Sequence, residues 1–542
     1  MTLDWMKRLP NIVAGMLAGV VAAVVMTLAM AASRYWLGIM PPVEAIPDRV
    51  APLLSIHAFF SLFGKYGGYN GLKQFGILSG LQAVLGVGIV VGLLYAVIVE
   101  SVPSRRSGRW LLGTSLPAFL FLTITGLAAW TGLVLFLWPV VASNYRGLPY
   151  TWARITTIAA LFLWIALFVA TLMATYRFMT RRPPAQVDAG VGTRSLSQTI
   201  NRRSIVAVAC AAVLTWPIFR LMRAMYRDAV FPYDGTVYSG EGIQPITPTA
   251  EFYTVTKNVV DPDVDRDLWR LEIRGHLDRG VTFSYEDLQQ FDQVDQETTL
   301  MCISNRIGAG LFSNAKWRGV RLHDLLQSAG VREGAVDCFV HGADAYRDSF
   351  PFEKAMEETT LVVYQINGEP LPRRHGYPVR LVVPGMFGEK NVKWVTRIDI
   401  STRDEQGFYE EQGWGPNFVP PTRSDIFYPR THLGSKGFTF VKELAAGQQT
   451  EVKGRAFAAD RGIRSVEFSV DNGHTWQPAE IYYPGTHLTW ALWRFEWTPS
   501  SAGQFVVLTR AVDGTGAPQP SQERGIVPQG AQGYQKVTAT VV

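Results

Sequence analysis

The chain has 542 residues, 48% of them apolar and 18% charged, with a formal net charge of +6. At roughly 100 to 200 residues per domain this length excludes a single compact body, and the long charge-free stretches before Phe219 exclude a wholly soluble protein. The basic balance does not argue for nucleic acid, because many lysines and arginines flank apolar segments as they do around membrane helices.

In chain order, five segments without Asp, Glu, Lys or Arg read as membrane spans: Asn11 to Ser33, Gln74 to Val99, Leu111 to Tyr145, Ile155 to Tyr176 and Ser204 to Phe219. About 20 apolar residues cross a bilayer. The fifth has only 16 residues between Arg203 and Arg220, so it spans only if both arginines snorkel. Val50 to Gly64 is apolar but short, which fits an interfacial or re-entrant helix. Lys7 and Arg8, then Arg105, Arg106 and Arg109, then Arg177 through Arg203 collect on one side of these spans. By the positive-inside rule that side is cytoplasmic, and an odd number of spans puts everything after about residue 221 outside the cytoplasm. Asn201-Arg202-Arg203 before an apolar run resembles a twin-arginine export signal, although ordinary positive-inside charge gives the same pattern. His57 is the single histidine in residues 1 to 220, too few for bis-histidine haem, so anchoring or docking of another membrane protein is the expected role.

Asp228 to Ala250 reads as an ordered Gly-, Pro- and Thr-containing linker. After it, a strand at Trp269 to Ile273, a capped helix at Ser284 to Gln290 and a helix at Leu322 to Ser328 make an α+β pattern. The last hundred residues change character. Val466, Phe468 and Val470 alternate with polar residues up to Asp471-Asn472-Gly473, a hairpin signal, and strands follow near Trp490 to Trp497, Phe505 to Leu508 and Val537 to Val542. An Ig-like β-sandwich is the expected form, its tryptophans in the core.

Chemistry concentrates between residues 250 and 400. Cys302 is a solitary thiol in a domain expected to be exported, which is either a small buried hydrophobe or a ligand to a soft metal. Cys338, in the mostly apolar Val336 to Val340, reads as structural, and no C-x-x-C-H haem motif is present. Four stretches stand out: Phe252-Tyr253 with Lys257-Asn258, Cys302-Ile303-Ser304-Asn305-Arg306, Trp317-Arg318-Gly319-Val320, and His375-Gly376-Tyr377-Pro378-Val379-Arg380 running on to Asn391-Val392-Lys393-Trp394.

Together with Asn367-Gly368-Glu369-Pro370-Leu371-Pro372 and Val383-Pro384-Gly385, they resemble the sulfite oxidase family of molybdenum enzymes, from about Phe252 onward. The tail resembles that family's molybdenum-cofactor dimerisation domain through Arg464 to Asp471, Arg510-Ala511-Val512-Asp513 and Gln519-Pro520. The resemblance implies a molybdenum–molybdopterin cofactor with Cys302 as the protein ligand to molybdenum. It implies cofactor contacts at Phe252, Tyr253, Thr254, Asn305, His375, Arg380, Asn391, Val392 and Lys393, with Arg380 and Lys393 on the phosphate. Tyr346 matches the family's active-site tyrosine, and Arg306, with Lys257 beside it, is what remains for binding an anion.

Where sulfite-oxidising members carry Arg-Asn-His after the Phe-Tyr pair, this chain has Thr254-Val255-Thr256-Lys257-Asn258, and Ile307 follows Arg306. A dianion needs several cations, so a sulfoxide to be reduced stands beside a small oxyanion as substrate. Electrons would pass to a separate cytochrome, copper protein or quinone-linked membrane subunit. The expected division is a transmembrane region of about five helices at 1–222, a linker at 223–250, a molybdopterin-binding catalytic domain at 251–425 and the sandwich at 426–542. The expected assembly is a homodimer on membrane lipid without nucleic acid. The competing readings are a non-catalytic membrane-tethered binding protein and a thiol nucleophile at Cys302.

Overall fold

The computed structural model describes residues 4–66, 69–101, 116–181, 202–227, 243–258, 260–435 and 437–542. It divides into two units, one of Met1–Ala51, Leu62–Val230 and Asn258–Asp263, the other of Pro52–Ser61, Phe231–Lys257 and Val264–Val542.

The first unit is helical. Helices α1 (Asp4–Leu37), α2 (Pro42–Val50), the end of α3 (Ile56–Lys65), α4 (Tyr69–Ser101), α5 (Leu116–Phe136), α6 (Tyr150–Thr180) and α7 (Arg202–Arg227) follow in order. Five stretches have the length and apolarity to cross a membrane: Arg8–Leu37, Gln74–Ser101, Leu116–Phe136, Tyr150–Thr180 and Arg202–Met225. The fifth corrects the 16-residue expectation. Its helix runs beyond Arg220 for another two turns, because backbone hydrogen bonding does not stop where a charge appears.

For the same reason α1 carries Arg34 inside it, buried, 2.9 Å from Glu44 and with its guanidinium 3.6 Å from the Tyr145 ring. Glu100, near the end of α4, accepts from Asn11 Nδ2 at 2.8 Å. The apolar piece at Val50 to Gly64 is a 3-10 turn (Ala51–Leu53) followed by α3. Helices α1 and α4 meet along glycines. A Cβ on Gly19 would lie 1.9 Å from Gly88 O, and one on Gly92 would lie 2.1 Å from Gly15 O. Small residues four apart on both helices let the backbones touch, which is how helices associate where no hydrophobic effect drives them together. Residues 228–242 of the expected linker, and the expected basic loops at Arg105 to Arg109 and Arg182 to Arg194, lie outside the described residues.

The second unit is built from sheets. Strands β1 (Leu271–Gly275), β2 (Val281–Phe283), β3 (Gln293–Met301), β4 (Phe312–Arg321), β5 (Asp337–Gly342), β6 (Arg347–Pro351), β7 (Leu361–Ile366), β8 (Glu369–Pro370), β9 (Arg380–Val382) and β10 (Val395–Ser401) form two five-stranded sheets. One has the order β2-β1-β10-β5-β6, with β1 and β10 parallel, and the other β3-β4-β7-β8 with β9 paired to β7.

The expected helices appear as α8 (Tyr285–Leu288) and α9 (Leu322–Ala329). Helix α8 opens on a capping box in which Ser284 Oγ accepts from Asp287 N and the Asp287 carboxylate accepts from Ser284 N. Two short helices, α10 (Phe352–Ala355) and α11 (Phe408–Glu411), complete the set. Trp269, Leu271, Ile273, Cys338, Val340 and Ile398 pack in one core. A second joins Phe252, Tyr253, Leu300, Cys302, Trp317 and Val382. Cys338 is wholly buried, as a structural cysteine should be.

Strands β11 (Arg423–Tyr428), β12 (Thr431–Gly434), β13 (Gly437–Phe440), β14 (Thr450–Phe457), β15 (Ile463–Ser469), β16 (Gln477–Pro478), β17 (Glu480–Tyr483), β18 (Ala491–Trp497), β19 (Gly503–Asp513) and β20 (Lys536–Val541) make two further sheets. Their orders are β11-β14-β18-β17 and β12-β13-β20-β19-β15-β16. The sheets share a core of Ile426, Val452, Trp493 and Trp497 from one and Val466, Phe468, Val507 and Val537 from the other, which is a sandwich. The expected turn between β15 and β16 carries Asn472 and Gly473 at positive φ, and Asp471 accepts from the Thr475 amide and hydroxyl. Trp490 packs this region against the sheet that holds β3, its amide donating to Thr299 Oγ1 at 2.9 Å.

Candidate active site

Cys302 follows β3 directly, and its amide is tied to Leu311 O across the turn that leads into β4. The side chain is almost wholly buried, and Ser304 Oγ lies 3.1 Å from its Sγ. Burial pushes the thiol up to about 12, with Glu389 nearby adding to the shift. Asn305 fixes the turn by accepting from Leu311 N at 2.9 Å, which leaves its Nδ2 buried without a hydrogen-bond partner.

Tyr253 packs in the same apolar cluster as Cys302. A Cβ on Gly388 would come within 2.4 Å of the Tyr253 hydroxyl and 3.6 Å of Cys302 Cα. On the other side, the Phe252 ring packs 5.5 Å from the ring of His375 and 5.4 Å from that of Trp317. Around His375 stand Arg374, Arg380 and Lys393. Arg374 Nε donates to Thr254 Oγ1 at 3.1 Å, and Lys393 Nζ to Val255 O and Arg374 O. Arg380 is buried, donates to the Leu381, His375 and Asn391 carbonyls at 3.2 to 3.3 Å and lies over the Trp317 ring. Burial lowers it to about 10.

Gly376 permits the convergence. It adopts φ +109°, and a Cβ there would sit 3.0 Å from the Arg380 side chain and 3.2 Å from that of Lys393. Asn391 is used structurally, its amide side chain bridging Val383 N and Phe387 O, while Val392 O accepts from Leu381 N. Arg374, Arg380 and Lys393 place three cations around one histidine, an arrangement suited to a multiply charged anion.

The same cations hold His375 neutral. Burial first, then Lys393, Arg380 and Arg374, bring its pKa down to about 3. A base whose folded pKa lies below its unfolded 6.5 is stabilising above 6.5 and loses that stability as pH falls toward 3. The cofactor-free chain is therefore expected to lose stability on the order of 1.4 kcal/mol per pH unit across that window relative to His375→Gln. Urea midpoints of the two proteins in detergent, compared at pH 7 and pH 4.5, check it; parallel curves would refute it.

Tyr346 stands just before β6. Its hydroxyl donates to Asp348 Oδ2 at 2.5 Å and lies 3.1 Å from Glu389 O. Lys390 Nζ donates to Asp348 Oδ1 and Glu410 Oε1, both at 2.7 Å, and sits 3.8 Å from the centre of the Phe418 ring. Burial acts against the Lys390 charge, but Asp348 and Glu410 outweigh it and hold the ammonium protonated. Glu389 has both carboxylate oxygens buried without a well-formed hydrogen bond, and burial pushes it up to about 8.

Arg306, the expected anion-binding residue, lies at the surface. Its side chain is exposed, and its backbone carbonyl accepts from Arg423 Nη2 at 3.1 Å. Sequence reasoning missed Asp348, Glu389, Lys390 and Glu410. The one local signal was a Glu-Lys pair set between Phe387 and Val392 in a run otherwise poor in charge.

Comparison with known proteins gives the class. Residues 258–409 match the model of the oxidoreductase molybdopterin binding domain, and residues 434–528 that of the Mo-co oxidoreductase dimerisation domain. Mitochondrial sulfite oxidase of Rattus norvegicus is 30% identical over 323 residues, 51% of this chain and 57% of that protein. The uncharacterized oxidoreductase YuiH of Bacillus subtilis is 31% identical over 150 residues, 28% of this chain and 74% of that protein. The sulfane dehydrogenase SoxCD of Paracoccus pantotrophus gives a TM-score of 0.48 at 25% identity, covering 55% of this chain and 84% of that one.

The chain belongs to the sulfite oxidase family of molybdopterin-dependent oxidoreductases. It spans little more than half the length of the rat protein. The cofactor this membership implies is molybdenum–molybdopterin, and the donors fit it: a buried thiol beside the Ser304 hydroxyl, a cluster of three cations and the orphaned Asn305 amide.

Proposed function

We propose that the chain is a membrane-anchored molybdenum oxidoreductase whose catalytic domain works on the extracytoplasmic side. It would transfer an oxygen atom to or from a small sulfur oxyanion or sulfoxide and exchange electrons singly with a separate cytochrome, copper protein or quinone-linked membrane subunit. The observation that carries the reading is the buried thiol of Cys302 in one packed cluster with Phe252 and Tyr253, with the Phe252 ring against His375 and its surrounding cations. The cofactor, when bound, supplies the two-electron oxygen-atom chemistry. The chain's own residues bind and orient. Cys302 would give up its thiol proton to become the metal's thiolate ligand, with the Ser304 hydroxyl and the Ile303 and Ser304 amides favouring the charged form. Arg380, Lys393 and Arg374 would hold the phosphate, neutral His375, Phe252, Tyr253 and Thr254 would wall the pterin, and Asn305, Asn391 and Val392 would shape the turns around it. Tyr346 would face the substrate. Arg306 would act only at the rim, given its exposure.

Five apolar helices and the basic loops between them support the anchor and its orientation. The paired Arg202 and Arg203 at the head of α7 fit export of a folded, cofactor-loaded domain. The division at 1–222, 223–250, 251–425 and 426–542, an Ig-like character for the last part and a homodimer through it complete the proposal; both family matches fall within the last two of these segments.

The test is elemental analysis for molybdenum and extraction of the pterin from detergent-purified chain beside Cys302→Ser, followed by redox titration with sulfite and methionine sulfoxide. Near-stoichiometric metal, with a metal signal altered and turnover abolished in the variant, is expected. Matured protein with neither metal nor pterin would leave a tethered binding module.

A further inference from the structure

The turn between Cys302 and Leu311 draws part of its support from another sheet. Its own hydrogen bonds run from Cys302 N to Leu311 O, from Asn305 N to Cys302 O and from Ala309 N to Arg306 O. Three of its backbone groups also pair with side chains of β11 and β14. Arg423 Nη2 donates to Arg306 O at 3.1 Å, Asp425 Oδ1 accepts from Gly308 N at 3.0 Å, and Arg455 Nη2 donates to Ala309 O at 2.6 Å. Strand register brings these side chains together: Arg423 and Asp425 are two apart on β11 and share a face, and Asp425 stands opposite Arg455 in the antiparallel pairing with β14. None of the three is more than 3% exposed. Gly308 is seated against the same sandwich at φ +70°, where a Cβ would lie 2.5 Å from Gln535 Nε2 and 2.9 Å from the Phe438 ring.

Resting on the oxidoreductase reading, in which Cys302 is the metal's thiolate, we propose that Arg423, Asp425 and Arg455 are positioning residues for that thiol, so that the sandwich holds the turn on which it stands. Charge pairing alone does not account for the group. A buried carboxylate needs one cation, and Arg423 supplies it, with both Asp425 oxygens within 3.0 Å. Arg455 stands 3.6 Å from Asp425 but only 2.6 Å from Ala309 O, and its guanidinium carbon lies 4.2 Å from the centre of the Phe312 ring, so its closest contacts belong to the far end of the turn. A second buried guanidinium is unfavourable unless its hydrogen bonds are made, and here the turn makes one of them. With glycine at Gly308 and Gly310 the unrestrained turn has many conformations. Charge-assisted hydrogen bonds at Arg306, Gly308 and Ala309 select one. The selection bears on the chemistry because a displacement of about 1 Å at a reacting group costs on the order of 10²-fold in rate.

Arg455→Met tests this on the full chain in detergent, because it leaves the Arg423–Asp425 pair in place and keeps an apolar contact with Phe312. Three quantities are read: hydrogen exchange of peptides by mass spectrometry, the rate at which N-ethylmaleimide alkylates Cys302 in cofactor-free protein, and the optical spectrum of the metal in loaded protein. Exchange across residues 303–311 and alkylation of Cys302 are each expected to rise at least ~10-fold, as the loss of one charge-assisted hydrogen bond implies. Exchange in β14 and β18 should not change, and the metal's spectrum should shift. Arg455→Lys, which keeps a slightly shorter cationic donor, should restore most of the protection and the spectrum. Arg510→Met, which breaks the ion pair with Glu467 on the other sheet of the sandwich, should move neither.

An unchanged turn in folded Arg455→Met overturns the proposal, as does exchange that rises equally throughout the sandwich, or a defect that Arg455→Lys does not relieve. Where Arg455→Met does not fold, Arg455→Gln decides by the same outcomes, since its amide remains polar within the sandwich but is too short to reach Ala309 O. Unaltered chain that matures without pterin or metal overturns the oxidoreductase reading, whereas the exchange measurement needs no cofactor and still reports whether the sandwich holds the turn, so the two failures are told apart.

Discussion

Lys390→Met is expected to cost about 3–5 kcal/mol of stability, among the largest losses any single substitution in this chain can produce. Lys390 and Asp348 each have side chains only 1% exposed, and Glu410 closes the group at 19%. Removing the ammonium leaves Asp348 buried with nothing but the Tyr346 hydroxyl and local amides, and the cost of an uncompensated buried charge exceeds the gain of an added apolar contact with Phe418. For a domain of this size the midpoint of the catalytic unit's thermal transition should fall by about 10 °C. The pH dependence identifies the cause. Burial already holds the Asp348 carboxyl above its ordinary range against the pull of Lys390, and without the ammonium it rises further, so the lost stability returns as pH falls and the carboxyl protonates. Asp348→Asn in the same chain should recover most of it, because the two changes share one interaction. Additive losses at every pH would mean that the ion pair is not what holds this corner of the site.

That network also marks where the sequence stops being readable. The apolar runs announced the membrane-type helices because twenty uncharged residues leave few alternatives. Their ends were not announced, since a helix continues past Arg34 or Arg220 as long as each charge finds a partner or the surface, and Glu44 as the partner of Arg34 becomes visible only once α2 is folded against α1. Local chemistry was legible in the capping box at Ser284 and the Asn472-Gly473 turn, where the partners lie within four residues. Cys302, His375 and Arg380 were singled out by the resemblance of their stretches to a known family and not by the residues alone. The partners of Tyr346 were not. Asp348 and Lys390 are 42 positions apart and Lys390 and Glu410 are 20 apart, and nothing in a single sequence says that β6, the turn before Asn391 and α11 converge. Arg306 shows the reverse case, a residue singled out by its neighbours in sequence whose side chain the fold directs outward.

Arg380→Met is expected to abolish pterin retention while leaving the cofactor-free chain as stable as before, or more so. Most buried arginines would behave otherwise. Arg423, for example, faces Asp425 with both carboxylate oxygens within 3.0 Å, and removing it would strand that carboxylate. Arg380 strands nothing. Its hydrogen bonds go to three backbone carbonyls at long range, its remaining neighbour is the Trp317 ring 5.1 Å from the guanidinium carbon, and burial alone depresses its pKa to about 10. On the proposed reading, a cation kept dry at that cost, beside Lys393 and Arg374, is the group a dianionic phosphate would stabilise. The stability cost is therefore carried by the empty protein and recovered on loading. Each charge-assisted hydrogen bond to the phosphate contributes about 1.5–3 kcal/mol, so losing a guanidinium that makes two should weaken retention by a factor on the order of 10² or more. Pterin per chain after gel filtration, measured by fluorescence of its oxidised form, gives the first quantity, and urea unfolding of cofactor-free protein gives the second. A variant that unfolds early yet keeps its pterin would show that Arg380 is a structural cation and that the phosphate lies elsewhere. Lys393→Met should behave as a weaker version of Arg380→Met, because its ammonium is less buried and already engages two carbonyls.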